Sequence, residues 1–292
     1  MTRHVALVGP TATGKSALAL DVARRHPDIE LVSVDSMQVY RGMDIGTAKP
    51  TPGERAEVPH HLVDLADPTE NFSLADFAHA AKAALADIGR RGHRALLVGG
   101  TGLYVRAVVD DLDVPGRYPH VRAELERDPD TAALHARLTE LDPRAAARME
   151  PTNRRRIVRA LEVTIGSGTP FSSSGPGLDA YPPSPVGQIG LRLPLDELDR
   201  RIETRVHAMV AAGLLDEVRS LPSPLSATAG QALGYRELLA TDDVDAAIEQ
   251  TIRRTRTFAR RQLRWFRRDP RITWADSERD AARLLGDWAT CG

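Results

Sequence analysis

The stretch Gly9-Pro10-Thr11-Ala12-Thr13-Gly14-Lys15-Ser16 sets a lysine and a hydroxyl directly behind a glycine-bounded loop. The apolar run Val5 to Val8 leads into it, and Ala17 to Leu20 continues from it at helical spacing. Strand, loop and helix in that order make a phosphate cradle. Backbone N–H groups of the loop and of the first helical turn converge on an anion, and the helix dipole adds partial positive charge. Lys15 supplies a mobile cation for the outer phosphates, and the Ser16 hydroxyl is a ligand for Mg²⁺, which shares phosphate oxygens and keeps several waters. The predicted ligand carries a di- or triphosphate, held by Gly9, Thr11, Ala12, Thr13, Gly14, Lys15 and Ser16. A chance glycine turn would need neither the flanking strand nor the helix.

Two more residues stand where parallel sheets present their ligands, at the carboxyl ends of strands. Glu30 to Asp35 reads as a buried strand ending in a carboxylate, and Arg94 to Val98 as another, closed by Gly99-Gly100-Thr101-Gly102. Asp35 and Thr101 should therefore face the crevice of the phosphate loop. A helix-capping aspartate is the alternative for Asp35; a tight turn accounts for Gly99 and Gly100 but leaves the Thr101 hydroxyl free. The run Ser36 to Pro50 is polar, glycine-punctuated and aperiodic, which reads as a functional loop. His60-His61 lacks cysteine or acidic partners at ligand spacing, so a structural or substrate-contact role is preferred to a metal site. Arg201 and Arg205 are four apart on an expected helix, with Glu197 and Glu203 nearby. Anion binding and a solvated, ion-paired surface are even alternatives for them.

Positioning these groups takes a layered α/β frame. Apolar strands alternate with amphipathic helices up to about residue 110, which predicts a parallel sheet with helices on both faces. Ser73-Leu74-Ala75-Asp76 is a capping box opening a helix that Gly92 stops. Residues 118–166 carry helical patterns over 121–126, 131–141, 143–149 and 155–165, with no buried strand. Residues 167–185, rich in Ser, Gly and Pro, read as a flexible connection without a core of its own. A strand is expected over 186–193 and a helix over 195–212 burying Leu198, Ile202, Val206 and Met209. A long helix follows over 244–268 with Ile248, Ile252, Thr255, Ala259 and Phe266 inward, then a short strand and terminal helix over 271–292. The fold class is α/β, a core like that of P-loop nucleoside-triphosphate hydrolases over 1–112 and 186–292, with an all-helical insertion over 113–185.

The net charge of −1 excludes a chain that is basic throughout. Its distribution is uneven, because arginines cluster over 148–159 and again over 253–271. Such patches grip a polyanion locally. Arg253, Arg256, Arg260, Arg264 and Arg267 form a stripe at helical spacing without interleaved acids, which argues against a merely solvated face. Trp265 among them either stacks on a base or anchors the helix to the core, and anchoring is preferred. Gln231 to Arg236 reads as a compact polar-aromatic turn. No apolar run approaches the ~18 residues of a membrane span, and the chain enters its first strand without a signal-like segment. The single cysteine, Cys291, permits no internal disulfide. These features lead us to expect a cytoplasmic protein, and a monomer.

In order along nearly the whole chain, the phosphate loop, Ser33-Val34-Asp35-Ser36, the run Tyr40 to Pro50, Gly99 to Tyr104, Arg159-Ala160-Leu161-Glu162, Leu233-Gly234-Tyr235-Arg236 and Arg260 to Trp265 resemble the bacterial tRNA dimethylallyltransferase (isopentenyltransferase) family. Tyr-Arg-Gly-Met-Asp-Ile-Gly-Thr-Ala-Lys-Pro over 40–50 is the most specific of these motifs. The resemblance implies transfer of a dimethylallyl group from dimethylallyl diphosphate to the exocyclic N6 of the adenosine 3′ of the tRNA anticodon, assisted by Mg²⁺. It makes Asp35 the group that takes the N6 proton and Thr101 a hydrogen-bonding partner at the reacting centre. Lys15, Ser16-bound Mg²⁺, Arg201 and Arg205 would stabilise the departing diphosphate. Asp35, Ser36, Met37, Gln38 and Thr101 would hold the flipped base. Gln231, Gly234, Tyr235, Arg236, Arg155, Arg156, Arg159, Arg256, Arg260 and Arg264 would hold the anticodon stem-loop. Arginine at 260 stands where relatives more often carry lysine. Thr152-Asn153-Arg154 departs from a usual Asn-Asp, so Arg156 and Arg159 carry over more firmly than Asn153. The sequence ends without the zinc-finger extension of eukaryotic relatives, so no metal site beyond that for Mg²⁺ is expected.

Three rivals are distinguishable. A small-molecule P-loop kinase would share the sheet and loop but has no use for a long arginine-striped helix. An adenylate isopentenyltransferase acting on free nucleotide would not need the helical insertion. An RNA-binding ATPase would carry a hydrophobic strand ending in Asp-Glu, and the sequence offers none.

Overall fold

Strands that are apolar along their whole length are satisfied only with both sheet faces covered. The computed structural model describes residues 3–175, 177–178 and 180–290, so Cys291 lies outside the described residues. In chain order it contains β1 (His4–Val8), α1 (Lys15–Arg25), β2 (Ile29–Ser33), α2 (Pro52–Glu57), β3 (His60–His61), α3 (Leu74–Arg90), β4 (Arg94–Gly99) and α4 (Gly102–Val109). There follow α5 (Pro119–Arg127), α6 (Thr131–Leu141), α7 (Pro143–Ala146) and α8 (Arg154–Ser167). The chain closes with β5 (Val186–Leu191), α9 (Leu195–Ala211), α10 (Leu214–Ser220), α11 (Tyr235–Leu239), α12 (Val244–Phe266), β6 (Thr273–Ala275) and α13 (Glu278–Thr290). It divides into two compact units, residues 1–111 with 182–292, and residues 112–181.

The larger unit holds a six-stranded parallel sheet in the order β3-β2-β4-β1-β5-β6. Side chains of β1 alternate between faces. Val5 and Leu7 pack against α1 and α13 through Leu20, Val22 and Leu285. Ala6 and Val8 face α3 and α4 through Phe77, Ala81 and Val105. Val8 is level with Gly99 on one side and Gly190 on the other, and Ser33 is level with Val98. The loops after β1, β2 and β4 therefore leave the sheet at one edge.

The predicted capping box at Ser73 forms in both directions with Asp76, and the helix it opens ends as expected, with Gly92 at φ 77°. Asp35 lies two residues beyond β2 rather than within it, and β5 stops two residues short of the expected 193. His60 and His61 make a short strand the sequence reading did not foresee. The His61 ring bonds the buried Glu30 carboxylate at 2.6 Å, which Arg91 and His93 also engage. Burial alone would raise the Glu30 carboxyl; the hydrogen bonds from Arg91, His61 and His93 outweigh it and hold it at about 2.

Gly99, the last residue of β4, and Gly102 are there for a reason other than the tight turn that was the alternative for Gly99 and Gly100. Of residues 99–102, none has positive φ. A Cβ on Gly99 would lie 2.0 Å from the Val34 carbonyl oxygen, and one on Gly102 would lie 2.2 Å from the Trp265 ring. Glycine is needed here for close approach, and Trp265 anchors α12 to the core. Gly99→Ala is expected to cost ~1–3 kcal/mol, as overpacking of a tight contact does, read as a lower midpoint in urea with unchanged slope. An unchanged midpoint would contradict the close-approach argument.

In the smaller unit α5, α6, α7 and α8 close over Leu125, Leu134, Leu138, Ile157 and Leu161. The buried Glu162 carboxylate ties the Tyr118 N–H (2.9 Å) and Arg159 (2.9 Å) to this core. The serine- and proline-rich segment after α8 begins against the core of the helical unit. Phe171 packs on the same cluster, and the Ser172 N–H donates to Asp142 at 2.7 Å.

Candidate active site

The loop between β1 and α1 owes its path to backbone that glycine allows. Gly9 has φ 145° and lies so near β5 that a Cβ would sit 2.3 Å from the Leu191 oxygen; Gly14 has φ 88° and opens α1. Ala12 also adopts positive φ, 64°, an uncommon state for a residue with a Cβ. The Thr13 hydroxyl donates to the Pro10 carbonyl at 3.0 Å, and the Lys15 ammonium donates to the same carbonyl and to the Thr13 hydroxyl oxygen. Lys15 is thereby folded back into the loop. Burial chiefly, and then the Arg205 charge, push Lys15 down to about 7, while Asp35 works in the opposite direction. Ser16 is exposed on the wall of the adjoining cavity.

Gln262 was missed by sequence reasoning, although it appears within a motif. Its side-chain oxygen accepts from the Thr11 N–H at 2.9 Å, and its amide donates to the Gly100 carbonyl at 2.8 Å. One buried amide on α12 thus ties the loop after β1 to the loop after β4. A signal was available: Gln262 falls in phase with Ala259 and Phe266 on the buried face of α12, where a polar side chain must find partners.

Beyond β2 the chain turns sharply. Asp35 accepts from the Met37 N–H at 2.8 Å. Burial raises the Asp35 carboxyl above its usual range, opposed by the backbone N–H groups of Met37 and Gln38 and by the Arg205 and Lys15 charges. The Thr101 hydroxyl accepts from the Ser36 N–H at 3.3 Å and lies 3.4 Å from the Ser36 hydroxyl. Gln38 is half-buried, with its oxygen on the Ser33 hydroxyl (2.7 Å) and its amide on the Thr47 and Ala48 carbonyls (3.1 Å each).

Two cavities meet at these residues. The larger, about 540 Å³, is walled by the loop Thr11 to Ser16 together with Asp35, Gln38 and Lys49. The smaller, about 190 Å³, is walled by Ser36, Met37, Thr101, Leu233 and Gly234. Thr11, Asp35, Arg205, Met209 and Phe258 belong to both. The junction therefore carries a carboxylate of raised pKa, the half-buried Arg205 guanidinium and an apolar wall, with the buried Lys15 ammonium in the larger cavity.

The helix α9 separates the two expected diphosphate arginines. Arg205 turns inward and donates to the Thr11 hydroxyl at 3.1 Å. Arg201 turns to the surface, paired with Glu197 at 2.6 Å and with Glu278. Gln231 and Gly234 line the smaller cavity; Tyr235 is buried, and Arg236 bonds the Gln231 side chain at 3.1 Å. The α12 stripe is not without acids, contrary to expectation: Arg253 pairs with Glu249 on α12 itself at 3.1 Å, and further acids come from α9. Arg256 pairs with Glu203 at 2.7 Å and Arg260 with Asp199 at 2.6 Å, whereas Arg264 is exposed. In the smaller unit Arg155 and Arg156 are exposed, and Arg159 is half-buried on the Pro115 carbonyl at 2.7 Å.

A family model described as IPP transferase matches residues 38–269, and one described as isopentenyl transferase matches residues 2–62. A tRNA dimethylallyltransferase of Acidothermus cellulolyticus is 48% identical over 307 residues, covering 99% of this chain and 95% of the relative. That of Kineococcus radiotolerans is 52% identical over 286 residues, covering 92% and 89%. The crystal structure of the full-length tRNA isopentenylpyrophosphate transferase of Bacillus halodurans is similar with a TM-score of 0.68 at 38% identity, covering 100% of this chain and 95% of the other. A eukaryotic dimethylallyltransferase acting on tRNA gives a TM-score of 0.81 over 99% of this chain and 80% of its own, and at 24% identity speaks for the fold. With the first family model spanning most of the sequence, and relatives about half identical from end to end, this chain belongs to the IPP transferase family.

Proposed function

We propose that the protein transfers the dimethylallyl group of dimethylallyl diphosphate to N6 of the adenosine 3′ of the anticodon in tRNA, releasing diphosphate. The observation that carries this reading is the junction itself, where Asp35 stands between an anion-suited cavity and a smaller, partly apolar one. The larger cavity suits the diphosphate, on a P-loop-like core used for binding a leaving group rather than for hydrolysis. Loop N–H groups, Lys15 and Arg205 offset the charge that develops as the allylic C–O bond breaks. The smaller cavity suits an unstacked adenine, with Thr101 and Ser36 for its polar edge and Met37 and Leu233 for its faces. As the C–N bond forms, N6 loses a proton to Asp35 and the bonding pair of the C–O bond leaves with the diphosphate.

Mg²⁺ fits as the cofactor on the chemistry of the donors, since the exposed Ser16 hydroxyl is a hard oxygen ligand beside the diphosphate cavity. When bound, Mg²⁺ would neutralise part of the diphosphate charge. The helical unit, an insertion in the core, offers Arg155 and Arg156, and α12 offers Arg264, for RNA phosphates. Arg256 and Arg260 are matched by acids, so their contribution requires those pairs to open. Among the described residues no helix is long and apolar enough to cross a membrane. A tRNA substrate accords with a cytoplasmic enzyme, and one chain carries every residue invoked, in keeping with a monomer.

The test uses unmodified tRNA, Mg²⁺ and labelled dimethylallyl diphosphate beside parallel reactions holding AMP or ATP. Label is expected on the tRNA alone. Label on AMP would transfer the reading to a free-nucleotide enzyme, and consumption of ATP without transfer would transfer it to a kinase.

A further inference from the structure

The loop 40–50 has no regular structure, yet it is among the most firmly held parts of the chain. Glu217, on α10, accepts from three successive backbone N–H groups, those of Asp44 (3.0 Å), Ile45 (2.7 Å) and Gly46 (3.2 Å). The Tyr235 phenol donates to the same carboxylate at 2.5 Å. Hydrogen bonds to an ionised acceptor are about twice as strong as neutral ones. The Tyr235 ring packs so closely that a Cβ on Gly46 would lie 2.4 Å from it. Lys49, buried, fixes the far end of the loop through the Tyr40 carbonyl (2.7 Å), Asp44 (2.5 Å) and Asp64 (2.7 Å).

The next links lead to the reacting centre. Thr47 and Ala48 offer their carbonyls to the Gln38 amide, and Gln38 is anchored to β2 through Ser33. The backbone N–H groups of Met37 and Gln38 both act on the Asp35 carboxylate. Glu217 lines neither cavity, whereas Ile45, Gly46 and Thr47 do. We propose that Glu217, with Tyr235, is a positioning residue for the transfer. It holds residues 44–46 so that Thr47 and Ala48 keep Gln38, and Gln38 keeps the Asp35 carboxylate, in register with both cavities.

This assignment rests on the transfer reading above, and the test separates the two. Glu217→Gln keeps the shape but leaves an amide group facing a donor. In the full chain it is expected to lower kcat by about 10- to 100-fold, as a misplacement near 1 Å does, with KM for dimethylallyl diphosphate within about twofold of wild type. Tyr235→Phe should lower kcat less, and the double variant should match Glu217→Gln, because the phenol acts through that carboxylate. The acid limb of the pH–rate profile should move to higher pH in Glu217→Gln as Asp35 loses ordered N–H donors, a change that a purely structural brace would not produce. Trypsin should cut after Arg41 faster in the variant than in wild type. Unchanged kcat, an unmoved acid limb, or a donor KM that rises while kcat holds would each overturn the assignment alone. Wild type that transfers nothing to tRNA would overturn the transfer reading, and this assignment with it.

Discussion

Asp35→Asn is expected to slow a single turnover on tRNA by ~10²- to 10⁴-fold, the span over which positioned general bases act, while RNA affinity changes by less than about threefold. The asparagine oxygen can still accept from the Met37 N–H, so the turn survives and only the proton acceptor is lost. The wild-type rate should rise with pH across an acid limb above the ordinary carboxylate range, because burial lifts the Asp35 carboxyl. The variant should lack that limb. The sign on stability is opposite to that on rate. A carboxyl whose folded pKa exceeds its unfolded one adds stability below the unfolded pKa and loses it as pH rises through the folded one. Above the unfolded pKa the Asp35 carboxyl is therefore a growing cost to the fold, and Asp35→Asn should there be more resistant to heat than wild type. Collapse of RNA binding with an intact fold would reassign Asp35 to base recognition rather than proton transfer.

Why was so much of this site legible before the structure, and some of it not? Loop, strand ends and the carboxylate were readable because local sequence determines them. An apolar strand must stop, glycines must carry the loop, and residues directly after parallel strands share one edge of the sheet. Asp35 and Thr101 came from that rule and Lys15 from the spacing of the glycine-bounded loop, and the structure brings all of them to one edge of the sheet. What sequence could not supply was direction across helices. Arg201 and Arg205 are equivalent by spacing, and only the packing of α9 against Thr11 on one side and Glu278 on the other turns them apart. The α12 stripe seemed to lack acids because the partners of Arg256 and Arg260, Glu203 and Asp199, lie more than fifty residues earlier on α9, while the Glu249 that pairs with Arg253 stands one turn before it on α12. Gln262 and Glu217 were passed over for a related reason. Each works by receiving or bridging backbone groups of distant loops, and no periodicity announces such a partner. For Gly99 and Gly100 a tight turn was the alternative weighed and close approach was not, since close approach leaves the same mark on a sequence as a turn.

Lys15→Met should cut kcat/KM for dimethylallyl diphosphate by ~10²- to 10³-fold, the usual loss when one preorganised charge is withdrawn from a developing anion. The same variant should unfold at a higher temperature than wild type. Lys15 is 7% exposed and held at about 7 by burial and by Arg205, below the ordinary lysine value. Between that folded pKa and the unfolded one, the unfolded chain holds a proton the folded chain does not, so wild-type stability rises with pH there. The cost is fully present below pH about 7 and vanishes toward the ordinary lysine range, and methionine removes it at similar volume. The lost bonds to Pro10 and Thr13 offset part of the gain, leaving ~1–2 kcal/mol, or about 2–5 °C in Tm for a chain of this size. The benefit should shrink as the pH of the melt is raised from 6.5 to 9. Diphosphate binding supplies the companion test. A charged Lys15 is needed by the bound anion, so binding above pH about 7 must take up a proton, and KM should climb by at most about tenfold per pH unit in wild type and stay flat in Lys15→Met. A variant that binds and melts as wild type does would mean that Lys15 neither meets the diphosphate nor strains the loop. A variant that melts lower would mean that its bonds to the loop outweigh its burial.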